Sequence, residues 1–322
     1  NCVPELMRNG FPHEAEEKTL LQAVVQEDID SIVRLYAAKA DLNQRVDDMQ
    51  RTCLHYAVKH NKSRFIRVLS SLGVDIALRD HEGFNALHRA VFVSGNAAVQ
   101  GIVSGALDRE GVSGPGTAID ILDAKSAVGA TSVFVAAQEN NAAALTVLLE
   151  AKCSANSQTV NGITPLYIAM QEHHRAAVDV LLACNQVDVN SRTDDGYTPL
   201  TVALQDSDNQ DLIQKLLELK ADVNTFKPSA DASARTPLQI AVFMSNFDAV
   251  ALLLEAGAKP LKAADAAGSR MTEIMWAAFR GDLDILQLFL KLQQSLPRFD
   301  SKQKLAWIIW FYHVIVSPSL QT

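Results

Sequence analysis

Apolar residues in this chain fall in short runs at helical spacing, and the runs come in pairs. In one well-marked stretch, Leu166 and Ala169 share a helical face, and Ala176, Val178, Leu181 and Leu182 form a second apolar face shortly after. Thr164-Pro165 opens the first helix: Thr caps free backbone N–H groups, and Pro fits a first position whose N–H would be unpaired anyway. The polar turn Asp194-Asp195-Gly196 closes the unit. The pattern predicts helix, turn, helix and a short extended hairpin. Such a unit is too small to bury its own core and must stack on copies of itself.

The copies are present. Counting from Thr164, the equivalent positions are Lys18, Thr52, Asn85, Thr131, Thr198, Thr236 and Thr272, with steps of 34, 33, 46, 33, 34, 38 and 36 residues along the whole series. The motif returns as Thr52-Cys53-Leu54-His55-Tyr56-Ala57, Ala86-Leu87-His88-Arg89-Ala90, Thr198-Pro199-Leu200-Thr201-Val202-Ala203 and Thr236-Pro237-Leu238-Gln239-Ile240-Ala241. A period near 33 opening on T-P-L-H-x-A resembles the ankyrin repeat. The resemblance implies an all-α ankyrin solenoid of about eight helix-turn-helix units with short β-hairpin fingers. The insertion after Leu87-His88-Arg89-Ala90 is also similar to that of the rabankyrin-type endosomal scaffolds.

Three stretches depart from the period. Residues 1–15 carry Pro4, Gly10 and Pro12 without periodicity and read as an N-terminal tail before an array spanning 16–296. The 46-residue step holds an insertion at 104–129, rich in glycine and expected to be mostly a surface loop, with 118–122 short enough to dock locally. The C-terminal stretch 297–322 contains an almost wholly apolar run at 305–316. That run reads as a helix capping the last repeat, with the start of a membrane span or a translated non-coding tail as alternatives; it is shorter than the roughly 20 residues that span a bilayer.

Charge and cysteine content narrow the partners. A formal charge of −8 disfavours a nucleic-acid partner held through phosphates. Residues 130–260 hold 15 acidic and 8 basic side chains, a net −7, which favours a protein with a neutral or basic surface. Cys2, Cys53, Cys153 and Cys184 show no paired spacing and fit reduced thiols in a cytoplasmic protein, with a membrane surface as the alternative location. No phosphate-cradling Gly-rich loop and no H-E-x-x-H motif occurs, and His173-His174 is a poor metal pair because adjacent helical residues diverge. No catalytic site, cofactor or metal is therefore expected. In the ankyrin pattern His55 and His88 tie neighbouring repeats together.

The resemblance also places candidate sites. The residue between the motif His and Ala faces the concave groove in this family, which here gives Tyr56, Arg89, Val135, Ile168, Val202, Ile240 and Trp276. Ile240, Phe243, Met244, Trp276, Phe279 and Arg280 then form a candidate partner-binding patch in the last two repeats. The finger tips at 79–82, 158–161 and 192–195 are further candidates. Asn43, Asn190 and Asn224, each eight residues after a Leu, resemble substrates of the asparagine hydroxylase that modifies ankyrin repeats. The expected function is a non-enzymatic protein–protein interaction scaffold. The alternatives are the cytosolic ankyrin portion of a larger membrane protein, such as a channel or palmitoyltransferase, and the targeting module of an unseen enzyme.

Overall fold

The computed structural model describes residues 20–93, 96–108, 118–206, 208–225, 235–260 and 272–295. It contains eight successive helical pairs among those residues. The chain divides into two compact units, one ending at Asp188 and one beginning at Val189.

In the first unit the pairs are α1 (Leu20–Val25) with α2 (Ile29–Ala37), α3 (Cys53–Lys59) with α4 (Ser63–Ser71), α5 (Ala86–Phe92) with α6 (Ala97–Leu107), α8 (Ser132–Gln138) with α9 (Ala142–Glu150), and α10 (Pro165–Gln171) with α11 (Arg175–Ala183). A short additional helix, α7 (Ala118–Leu122), follows α6. The second unit has α12 (Pro199–Ala203) with α13 (Gln210–Glu218), α14 (Pro237–Phe243) with α15 (Phe247–Glu255), and α16 (Glu273–Arg280) with α17 (Leu283–Ser295).

Six of the first helices start with the cap that the sequence dictates. Thr131, Thr164, Thr198, Thr236 and Thr272 occupy the N-cap in extended backbone, and their hydroxyls accept from the N–H three residues on. Asn85 does the same through its carbonyl oxygen, at 2.9 Å from the His88 N–H. Many of the helices also end by one recurring device. After the first helix a residue enters the left-handed region: Asn61, Asn140, His173, Ser245 or Gly281; after the second, Lys39, Gly73, Lys152, Lys220 or Gly257. The hydrogen bonds are those of a Schellman motif. In α9 the Lys152 N–H donates to Leu149 O at 3.0 Å and the Cys153 N–H to Leu148 O at 3.1 Å. In the first helices the motif Ala supplies the acceptor carbonyl, as Ala169 does for the His174 N–H at 2.8 Å.

In each unit the core is the seam between stacked pairs. Leu54, Leu87, Leu145, Leu148 and Leu166 are buried in the first unit and Leu200, Ile213, Leu216, Leu238 and Leu253 in the second. Burying a leucine of this kind contributes roughly 1.5–3 kcal/mol.

The fingers and the insertion both show how little backbone lies outside the helical pairs. The fingers are short antiparallel hairpins without a ladder: among the described residues the pairing is limited to the isolated bridges Arg45–Thr52 and Arg79–Asn85. Main-chain bonds close each finger, as from the Asp80 N–H to Phe84 O at 2.8 Å and from the Thr193 N–H to Tyr197 O at 3.0 Å, and others run from finger to finger, from the His81 N–H to Met49 O at 2.9 Å and from the Val160 N–H to Val128 O at 3.3 Å. The insertion expected at 104–129 is also shorter than its glycines suggest. Residues 104–107 complete α6, and α7 docks with Ala118 and Leu122 buried. Glycine permits close packing of α6 on α4. A Cβ added at Gly105 would lie 2.5 Å from Ser70 Cβ and 2.8 Å from Arg67 O, and one at Gly101 would lie 3.1 Å from Ile66 Cγ2. Residues 1–15 and the apolar run at 305–316 lie outside the described residues.

Candidate interaction surface

The patch expected in the last two repeats assembles around an aromatic cluster. Trp276 on α16 stands edge to face against Phe243 on α14, with centroids 5.2 Å apart and planes at 88°. Phe279 meets Trp276 in turn at 6.1 Å and 89°. The spacing explains the arrangement: Trp276 and Phe279 are three residues apart on one helical face. Phe279 is 67% exposed and Met244 41% exposed, so the cluster presents an apolar surface. Ile240 does not join that surface. It is 8% exposed and packs inside the stack.

Two guanidinium groups frame the rings. Arg235 lies 4.0 Å over the Phe243 centroid and 5.5 Å over Trp276, and Arg280 lies 5.8 Å from Phe243. Arg280 Nε donates to Ser245 Oγ at 2.7 Å, and Ser245 Oγ donates to Asp282 Oδ2 at 2.8 Å. Sequence reasoning finds Arg280 and misses Arg235. Arg235 precedes the Thr236 cap, a position to which the repeat motif assigns no surface role.

The other groove candidates do not form a comparable surface. Val135 and Ile168 are buried. Arg89 is committed to its own repeat: its Nε donates to Asp80 Oδ2 at 2.7 Å, its Nη2 lies 2.9 Å from Glu82 Oε1, and it covers the Phe84 ring at 5.0 Å. Asp80 is itself buried and accepts from the Glu82 and Phe84 N–H groups. The charged finger at 79–82 is thus largely an internally satisfied turn. At 158–161 Val160 is exposed, and at 192–195 Arg192 lies 3.9 Å from Asp222.

The motif histidines are structural. His88 Nδ1 accepts from the Asn85 N–H at 3.2 Å, which leaves Nε2–H to donate to Ala130 O at 2.9 Å in the following repeat. His55 repeats the arrangement, with Nδ1 3.3 Å from the Thr52 N and Nε2 3.2 Å from Phe84 O. Burial lowers the pKa of both, that of His88 to about 4. Gln239 takes the His place with Oε1 accepting from the Thr236 N–H at 3.1 Å, and Thr201 with Oγ1 accepting from the Thr198 N–H at 2.8 Å. Burial pushes the Cys53 and Cys153 thiols up to about 12, far from thiolate chemistry at neutral pH. His173 takes the left-handed turn position and His174 Nδ1 faces Ala137 O at 3.2 Å, so the two rings have separate duties.

The asparagines sit where fingers join. Asn190 Oδ1 accepts from the Asp222 N–H at 2.7 Å and its Nδ2 donates to Lys220 O at 3.2 Å. Asn224 bonds the Lys259 N–H at 2.8 Å and Gly257 O at 3.2 Å, and Asn43 accepts from the Asp75 N–H at 2.8 Å. Asn156 belongs to the same series, with the Asp188 N–H at 2.8 Å. Asp123 continues it with a carboxylate, both oxygens 3.0 Å from the Ser154 N.

Comparison with known proteins places this architecture. The ankyrin-repeat family model, in three-copy form, matches residues 1–108 and 133–227, and the single ankyrin repeat matches 234–265. The chain is an ankyrin-repeat protein. The first match begins ahead of the array start expected at residue 16. A 68-residue stretch is 41% identical to the BTB/POZ domain-containing protein 1 of Schizosaccharomyces pombe, covering 20% of this chain and 5% of that protein. The ankyrin-repeat domain of Bcl-3, a member of the IkappaB protein family, superposes with a TM-score of 0.58 at 22% identity, over 75% of this chain and 100% of that one. The human ASB11 ankyrin-repeat domain gives 0.48 at 26% identity, over 74% and 97%. The family match and the Bcl-3 likeness carry the ankyrin fold and not the finer rabankyrin-type grouping. Ankyrin repeats are in general protein–protein interaction modules. Among the described residues, no helix is long and apolar enough to cross a membrane.

Proposed function

We propose that this ankyrin array is a non-enzymatic scaffold that receives a protein segment on the surface formed by Phe243, Met244, Trp276, Phe279, Arg280 and Arg235. The observation that carries the reading is the aromatic cluster itself. Three rings stand edge to face while Phe279 at its end is 67% exposed. A rigid aromatic platform offers contact area at little ordering cost, and Trp and Arg are the side chains most enriched at interface hot spots. The net −7 of residues 130–260 favours a partner whose remaining surface is neutral or basic. The described cysteines, Cys53, Cys153 and Cys184, are all free thiols, which supports a reducing compartment.

Hydrogen–deuterium exchange on the full chain with a purified binding partner tests the site. Binding should protect the peptides spanning 235–245 and 272–282 most strongly. Protection confined to the fingers at 158–161 and 192–195 would place the site there instead.

A further inference from the structure

Two guanidinium groups border the aromatic rings of a chain whose net charge is −8. We infer that the segment the patch receives is an acidic peptide carrying at least one large apolar side chain, a reading that rests on the patch being the partner site. The two cations nearest the rings, Arg235 and Arg280, are held at 4.0 and 5.8 Å from the Phe243 centroid. Among the described residues Arg235 has no carboxylate partner. Arg280 has one, Asp282, at a loose 3.8 Å, and Asp282 Oδ2 is already engaged by Ser245 Oγ. Glu273, on the same helix as Trp276, is fully buried and offers no contact to a docked segment.

The net charge of −8 does not cancel this local field. Exposed charges are screened beyond roughly 8 Å at physiological ionic strength, so the groups within contact distance decide what docks. A guanidinium stacked on a ring has already lost much of its rotamer freedom. It can therefore present its donor fork to a carboxylate at reduced entropic cost, and a bidentate pair fixes the peptide's register. Met244 and Phe279 then supply the apolar contact beside the cations. A polyanion such as single-stranded nucleic acid also stacks on aromatic rings, but it needs a basic track along the backbone, and an acidic array repels it.

The test is a random-peptide display selection on the full chain. An enriched peptide is then synthesised as selected, with Asp/Glu changed to Asn/Gln, and with Asp/Glu changed to Lys. Calorimetry against wild type, Arg235→Glu, Arg280→Glu, Trp276→Ala and Phe279→Ala follows. The expected result is enrichment of Asp/Glu beside Leu, Ile, Phe or Trp. Neutralising the peptide or introducing Arg235→Glu should each cost at least roughly ten-fold in affinity, the scale of one lost charge-assisted hydrogen bond. Wild-type affinity should also fall with added salt. If Arg235→Glu loses its folded circular dichroism, the salt dependence and Arg280→Glu decide.

Peptides lost on Trp276→Ala yet indifferent to charge and salt would overturn the acidic specificity and leave the patch as the partner site. Binding that survives both Trp276→Ala and Phe279→Ala would overturn the patch itself. A selection without binders, or a chain that prefers a single-stranded oligonucleotide to every peptide, would likewise overturn the inference.

Discussion

Arg235 and Phe243 meet face on, the guanidinium carbon 4.0 Å from the ring centroid, although the two residues are neither adjacent in sequence nor on one helical face. A partly exposed contact of this type contributes about 0.5–1 kcal/mol to folding. Arg235→Met should therefore lower stability by no more than about 1 kcal/mol in urea denaturation, while removing the cation proposed to face a partner. A loss of several kcal/mol would make Arg235 a structural residue and weaken its assignment to the surface.

Close packing of α6 on α4 makes a second prediction. Gly105→Ala favours the isolated helix but drives a Cβ toward Arg67 O and Ser70. Overpacking of this kind costs roughly 1–3 kcal/mol. The urea midpoint should fall with an unchanged slope. A stabilised variant would show that residues 104–107 are not held against α4.

His88 gives the array a pH dependence of definite sign. Its folded pKa is depressed to about 4 from 6.5, chiefly by burial, so on acidification the folded state takes up its proton later than the unfolded chain. The contribution is complete above pH 6.5 and is lost as pH falls toward 4, by roughly 3 kcal/mol over that window. Protonation of Nδ1 would also break its bond from the Asn85 N–H. The chain already carries glutamine at the equivalent position, Gln239, where it completes the cap without a titratable group. His88→Gln should accordingly keep the cap and flatten this part of the stability–pH curve. An unchanged curve would contradict the assignment.

The finger asparagines make a prediction about both stability and modification. Asn190→Ala removes two inter-finger hydrogen bonds and should cost about 1 kcal/mol, since exposed bonds contribute little more. We expect at most partial hydroxylation of Asn43, Asn190 and Asn224, because each side chain is engaged in the folded finger. Intact mass after co-expression with an asparagine hydroxylase reads the outcome; complete modification would mean that the fingers open readily.

The repeat period and the N-caps are legible in the sequence because a Thr, and often a Pro after it, acts within one helical turn. The C-terminal caps are not. Lys39, Lys152 and Lys220 occupy a left-handed position where Gly73 and Gly257 stand in other repeats, and lysine carries no local signature for that conformation. Gly105 reads as a loop residue in sequence because glycine marks both turns and close helix contacts, and only the approach of α4 tells them apart. Within the patch, helical spacing brings Trp276 and Phe279 together. The ankyrin resemblance puts Ile240 on the surface, where the structure buries it, and it gives no reason to add Arg235.

The most direct test of the proposed site is calorimetric affinity of Trp276→Ala and Phe279→Ala for a purified protein partner. Both variants should keep wild-type circular dichroism and a cooperative melt. Each is predicted to weaken binding by more than ~1 kcal/mol, the threshold that separates hot-spot residues from neutral contacts. Wild-type affinity in both variants would contradict the proposed site.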